Sequence, residues 1–134
     1  MKGILYKKGY KYQLVAAYVV RVAIRPDFDI GTDFIHLSQS GVLTIRKGYA
    51  WDGPSGPALD TKNIMRGSLV HDALYQLMAE HGLSHEHRAY VDQLLWLMCL
   101  DDGMSTLRAW VVHAGVRFGG GAALARRNPV LSAP

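Results

Sequence analysis

Apolar and polar positions along this chain change period once, near residue 50. Before that point the sequence is rich in Tyr, Val, Ile and Thr, the aromatic and β-branched types that suit a pleated surface. Residues 4–12 alternate aromatic with basic side chains, and residues 13–24 form a longer apolar run that predicts a buried strand. Arg25-Pro26-Asp27 breaks it. Residues 34–37 and 42–45 flank Ser38-Gln39-Ser40-Gly41, which predicts a hairpin turn. Together these runs predict one small antiparallel sheet.

Residues 49–60 are loop-like, with Gly, Pro, Ser and Asp replacing the apolar pattern. Asp60 or Thr61 then offers an N-cap oxygen for a helix reaching about His81, where Gly82 supplies a stop. Val70, Leu74 and Leu77 fall at i, i+4 and i+7 and define its core face, with His71, Tyr75 and Met78 on the flank. Ser84 predicts the cap of a second helix to about Leu100, apolar on nearly every side from Tyr90 onward and so the most buried of the three. A third helix is expected from Ser105, with Leu107, Trp110, Val111 and Ala114 facing the core and an end at Gly119-Gly120-Gly121. The predicted fold class is α+β: a small N-terminal antiparallel sheet packed against three C-terminal helices. Residues 1–121 read as one domain, with a β-rich part at 1–48, a loop at 49–60, a helical part at 61–119 and a tail at 122–134.

Composition narrows the function classes. A chain of 134 residues, 49% apolar and 19% charged, is long enough to bury a core and is not the composition of a disordered chain. Its single cysteine, Cys99, excludes an intrachain disulfide and a Cys-based zinc site. The net charge of +4 comes from scattered basic residues, Lys7, Lys8 and Lys11 near the start and Arg126 and Arg127 near the end. That favours anionic surfaces such as lipid headgroups, while the lack of a basic stripe interleaved with aromatics argues against specific nucleic-acid recognition. No secretory signal is expected, since Met1-Lys2-Gly3 leads straight into Tyr and Lys. The run at 14–24 contains Arg21 and falls short of the roughly 20 apolar residues of a spanning helix, so no transmembrane segment is expected.

The candidate chemistry lies in Val-His-Asp-Ala-Leu-Tyr at 70–75 and in Asp92. Asp92 shares its helix face with Leu95, Trp96 and Cys99, so its carboxylate must be paired, metal-bound or protonated. His71 is the expected partner across two antiparallel helices. An Asp accepting from one imidazole nitrogen fixes the tautomer and leaves the other nitrogen to act as a base. The same pair also reads as a structural hydrogen bond between helices. Asp72 points about 100° away from His71, towards the side where the loop carbonyls at 53–57 and the Asp52 carboxylate would complete an oxygen shell for a hard cation such as calcium. Alternatively, the loop only steers the chain from strand to helix. Tyr75 lies one turn beyond Asp72 and is placed to support Asp72 or Asp92, or to serve as an ordinary core aromatic. Ser55 has no Gly-x-Ser-x-Gly context, and His81, His85 and His87 read as solvated helix ends.

Two family resemblances meet on these residues. Lys-Gly-Tyr-Ala-Trp-Asp-Gly-Pro-Ser-Gly-Pro at 47–57, followed by Leu-Val-His-Asp-Ala-Leu-Tyr at 69–75, is similar to a family frequent in tailed-phage and prophage genomes and known as domain of unknown function thirteen-fifty-three. The resemblance covers about residues 43–119 and extends to Val-Arg-Phe-Gly at 116–119. It implies phage origin and no activity. The loop and the His-Asp-x-x-Tyr helix also resemble phospholipase A2, especially the disulfide-free domain of parvovirus capsid proteins. That resemblance implies that His71 deprotonates water, that Asp92 orients His71, and that Asp72 binds calcium with loop carbonyls around Trp51, Gly53 and Gly56. The chain departs from it in carrying Asp52 in the loop, in having fewer loop glycines, and in its β-rich first fifty residues.

The expected function is therefore that of a phage-derived, calcium-dependent, phospholipase A2-like esterase acting on membrane lipid. Anionic lipid and other phage structural proteins are its expected partners, and its expected setting is the host cytoplasm during synthesis or the virion. The alternative is a non-enzymatic virion or tail accessory protein in which His71, Asp72 and Asp92 form a structural polar network. A metal-dependent amidase or nuclease is less well served, because zinc calls for more ligands than this site offers.

Overall fold

The computed structural model describes residues 3, 4, 6, 7, 12–51 and 62–126. It is of the α+β class, with antiparallel strands in the N-terminal part and three helices in the C-terminal part. The chain divides into two compact units, Met1–Gly53 and Pro54–Pro134.

The first unit contains two sheets where one was expected. β1 (Tyr6–Lys7), β2 (Tyr12–Leu14) and β7 (Ala50–Trp51) form one, in the order β1-β2-β7. β3 (Tyr18–Arg21), β4 (Ile30–Gly31), β5 (Ile35–Leu37) and β6 (Val42–Ile45) form the other, in the order β3-β6-β5-β4. The predicted strand over 13–24 is thus split between the sheets. Its partner explains the split: Tyr18 pairs with Ile45 and Gln13 with Ala50, but between these positions the partner chain turns, with Tyr49 N–H donating to the Arg46 carbonyl. Gly48 makes that turn at φ +96°, a conformation open to glycine. The predicted hairpin turn is present. Gly41 sits at φ +91°, its N–H donates to the Ser38 carbonyl, and the Ser38 hydroxyl accepts from Val42 N–H. Ile35, Leu37, Leu43 and Ile45 alternate inward and are fully buried.

The second unit carries the helices: α1 (Lys62–Glu80), α2 (Arg88–Asp101) and α3 (Thr106–Arg126). α1 stops where expected, with Gly82 at φ +83°. Ser84 caps a 3₁₀ turn, His85–His87, which leads into α2. α2 ends in a paired C-terminal motif. Gly103 takes φ +97°, Gly103 N–H donates to the Leu100 carbonyl, and Met104 N–H donates to the Cys99 carbonyl. Contacts between α1 and α2 run in opposite directions along the chain: His85 meets Met78, Asp92 meets His71, and Asp102 meets Arg66. The two helices are therefore antiparallel. Gly67 lets them approach closely, since a Cβ there would lie 2.9 Å from Leu95 Cδ1.

Three helical expectations are corrected. The most buried helix is α1, inward at Ile64, Met65, Leu69, Val70, Ala73, Leu74, Leu77 and Met78, whereas α2 leaves Leu97 48% exposed. On α3 the buried residues are Ala109 and Val112, while Leu107, Trp110 and Val111 are exposed. The larger side chains suggested the wrong face. α3 also continues through Gly119-Gly120-Gly121 instead of stopping there. Glycine lowers helix propensity by only about 1 kcal/mol per residue, and the following Ala-Ala-Leu-Ala favours the helix.

Candidate functional site

Asp92 is the centre of the site and has no solvent exposure. Its position on α2 turns it towards α1, where His71 and Tyr75 lie one turn apart. His71 Nε2 lies 2.8 Å from Asp92 Oδ1, and the Tyr75 hydroxyl donates to the same oxygen at 2.6 Å. The His71 and Tyr75 rings stack with centroids 4.1 Å apart. The other carboxylate oxygen is taken from α3: Arg117 Nη1 donates to Oδ2 at 2.9 Å. All three helices converge on one carboxylate.

This arrangement meets the desolvation cost of a buried charge by pairing it with two hydrogen-bond donors and a cation. Burial by itself would raise the pKa of Asp92, but His71, Tyr75 and Arg117 outweigh burial and hold the carboxyl below its ordinary value. Tyr75 is pushed well above the usual phenol range by burial and by the carboxylate it donates to. Asp92 is therefore an anion and Tyr75 a neutral donor at physiological pH.

With Nε2 committed to Asp92, the chemistry of His71 is left to Nδ1. That atom is 3.9 Å from Asp72 Oδ1, too far for a hydrogen bond but close enough for the charge to be felt. His71 is itself buried, which disfavours the imidazolium. Asp72 and Asp92 together overcome this and raise its pKa above 6.5. The Asp72 side chain is 26% exposed and accepts no hydrogen bond among the described residues.

Sequence reasoning placed His71, Asp92 and Tyr75, and the structure brings those three together. Tyr75 supports Asp92, not Asp72. Of the residues expected around a cation, Asp72 lies on α1 in the helical unit and Trp51 lies in β7 of the first unit. Asp52, Gly53 and Gly56 lie outside the described residues. Among the described residues, no three His, Cys, Asp or Glu side chains are grouped to hold a metal ion. The Asp72 carboxylate has the hard-oxygen chemistry that calcium takes, but by itself it supplies at most two of the roughly six to eight oxygens of such a site.

Arg117 was missed. It lies 25 residues beyond Asp92 on another helix, and a single arginine among apolar residues carries no spacing signal. Arg88 was missed as well. It sits one turn before Asp92 on α2, with Nε 4.0 Å from Oδ2, and donates through Nη2 to the Arg117 carbonyl at 2.6 Å. Its Nε is buried without a hydrogen-bond partner among the described residues. The i, i+4 spacing of Arg88 and Asp92 was the available signal. In comparisons with protein-family models, with curated proteins and with solved structures, nothing matches this chain.

Proposed function

We propose that the chain is a phospholipase A2-like ester hydrolase in which His71 is the general base and Asp92 its orienting partner. The observation that carries this reading is the division of labour on one imidazole: Nε2 is bound by a buried carboxylate, and Nδ1 is left without a hydrogen bond beside Asp72. In the reaction, Nδ1 accepts a proton from water and the water oxygen bonds to the ester carbonyl carbon. The acyl C–O bond then breaks, and the proton is returned to the departing alkoxide. Asp92 stabilises the imidazolium formed on the way, and Tyr75 and Arg117 fix the orientation of Asp92.

Calcium, when bound at Asp72, supplies Lewis acidity for the ester carbonyl. Asp72 is the residue of the helical unit suited to hold it. The resemblance of 47–57 and 69–75 to the phage and prophage family supports an origin there and adds no activity.

A second reading has its own observation. Both oxygens of Asp92 are occupied, and His71 is raised towards the imidazolium, as a structural ion pair in a virion or tail accessory protein would require. The test is a calorimetric calcium titration of the metal-stripped protein beside Asp72→Asn, followed by hydrolysis of a short-chain phospholipid by wild type and His71→Gln. One-site binding lost in Asp72→Asn, with hydrolysis lost in a folded His71→Gln, is the expected result. If wild type neither binds calcium nor hydrolyses the lipid, the enzyme reading is replaced by the structural one.

A further inference from the structure

We propose that His71 Nδ1 and the Asp72 carboxylate together hold an exchangeable first-row divalent cation such as zinc. The two groups lie 3.9 Å apart, with the His71 side chain 10% exposed and that of Asp72 26%. A metal-ligating imidazole almost always donates its other N–H to a carboxylate, which fixes the tautomer and raises the basicity of the ligating nitrogen. Asp92 is placed to do this for His71: it is buried, its Oδ1 lies 2.8 Å from Nε2, and Tyr75 and Arg117 hold it in position. The lone pair is thereby set on Nδ1. Among the described residues, the buried side-chain nitrogens without a partner are Arg88 Nε and Trp96 Nε1. Nδ1 has no hydrogen bond either and is not one of them, so it is open to solvent.

The chemistry of the two atoms selects the ion. An imidazole nitrogen beside a carboxylate oxygen suits zinc, which takes both at about 2.0–2.2 Å, better than calcium, which takes oxygen alone. Tetrahedral zinc would hold the two atoms about 3.4 Å apart, so the pair must close by about half an ångström. The Asp72 side chain has no hydrogen bond to break in doing so. Among the described residues no third His, Cys, Asp or Glu joins the pair, and water completes the shell. Two protein ligands are fewer than the three or four of a resident zinc centre, which makes the ion exchangeable. His36 supplies the contrast. Its Nε2 lies 3.7 Å from Asp29 Oδ2, but both side chains are exposed, and Asp29 already accepts from Gln39 N–H. The separation is similar at both pairs, but only His71 is oriented from behind by a buried carboxylate. Binding at His71 does not depend on catalysis. Its consequence for activity rests on the esterase reading above: zinc on Nδ1 takes the lone pair that would accept a proton from water, so the ion is a reversible inhibitor.

The test is a zinc titration of the intact, metal-stripped protein at about pH 8, where protons compete less for the imidazole. It is read from the imidazole nitrogen resonances of the six histidines by NMR. The His71 Nδ1 signal is expected to move first, ahead of those of His36, His81, His85 and His87. Asp72→Asn loses no hydrogen bond and should fold as wild type does. It should raise the zinc needed to move His71 by at least the roughly tenfold that loss of an outer partner costs a metal site. Shifts at the other histidines with His71 unmoved mean an adventitious ion only and overturn the inference. So does equal zinc affinity at His71 in wild type and Asp72→Asn. Hydrolysis of a dispersed short-chain phospholipid, with calcium present, is measured in parallel. Zinc binding at His71 without hydrolysis by the zinc-free protein refutes the esterase alone. Hydrolysis with His71 unmoved by zinc refutes the metal site alone, and hydrolysis that persists with His71 saturated overturns the inhibition.

Discussion

Replacing Asp92 by Asn keeps the size and shape of the side chain and removes its charge, so it isolates the electrostatic role of the network. In wild type, Oδ1 accepts from His71 Nε2 and the Tyr75 hydroxyl, and Oδ2 accepts from Arg117 Nη1. An amide oxygen in the place of Oδ1 keeps the first two contacts but weakens each from a charge-assisted to a neutral hydrogen bond, about 1 kcal/mol apiece. The amide nitrogen in the place of Oδ2 faces a guanidinium, donor to donor, across 2.9 Å. Arg117 is 36% exposed and can turn to solvent at little cost, but the buried amide N–H is then unpaired, which costs about 1–3 kcal/mol. The sum is about 3–5 kcal/mol, the usual range for breaking a buried ion pair from one side. Against a typical domain stability of about 5–15 kcal/mol, the variant folds but is far weaker. With a urea m value of about 1.5 kcal/mol/M, a loss of 3 kcal/mol moves the unfolding midpoint by about 2 M. Asp72→Asn, which loses no hydrogen bond, should move it by less than about 0.3 M. A midpoint shift for Asp92→Asn as small as that for Asp72→Asn, at unchanged m, would refute the network as the anchor of the three helices.

Three further outcomes concern the pH dependence of this network and two places in the helices outside it. His71 is raised in the folded state, so its stabilisation is complete below pH 6.5 and fades as pH rises through the folded value; Asp92 is lowered, so its stabilisation is complete above about pH 3.8 and fades as pH falls through the folded value. Thermal unfolding across pH should therefore place the network's largest contribution between those limits, and a contribution that grows steadily above neutrality would contradict the pairing. Arg66 joins Asp102 and Asp101 at 3.0 Å, with Asp102 largely buried and Asp101 exposed, so Arg66→Met should cost about 1–3 kcal/mol in urea unfolding and Asp101→Asn less than about 0.5. Gly119→Ala on α3, where an added Cβ meets nothing within 4 Å, should raise stability by up to about 1 kcal/mol, and a lowered melting temperature would argue against a helix through the glycine run.

Parts of this fold were legible because they depend on local spacing. His71 and Tyr75 stand one helical turn apart, Asp92 sits at a buried position of the next helix, and a short connection forces the two helices antiparallel. Those facts alone bring the three side chains together. What was not legible depended on partners distant in sequence. The apolar run over 13–24 gives no sign that it breaks, because the break is set by the turn at Arg46 and Gly48 in the chain it pairs with. α3 is apolar on two sides, and periodicity cannot say which one goes inward. The smaller pair, Ala109 and Val112, is the buried one, and this leaves Leu107, Trp110 and Val111 outside. Arg117 belongs to the same uncertainty, since its reach to Asp92 follows from the rotation of α3.

The two readings of the site differ over one atom. A structural network needs Asp92 to be fully satisfied, and His71 Nε2, Tyr75 and Arg117 achieve that. It has no use for a second imidazole nitrogen without a hydrogen bond, nor for a partly exposed carboxylate placed 3.9 Å from that nitrogen. Asp72 in fact works against a neutral base, because its charge helps to raise His71. A cation held on Asp72 would offset that charge, and the carboxylate that hinders the base in the metal-free protein would then favour it. The esterase reading proposed above would therefore require a cation beside Asp72 for His71 to act as a neutral base, whereas the structural reading requires none.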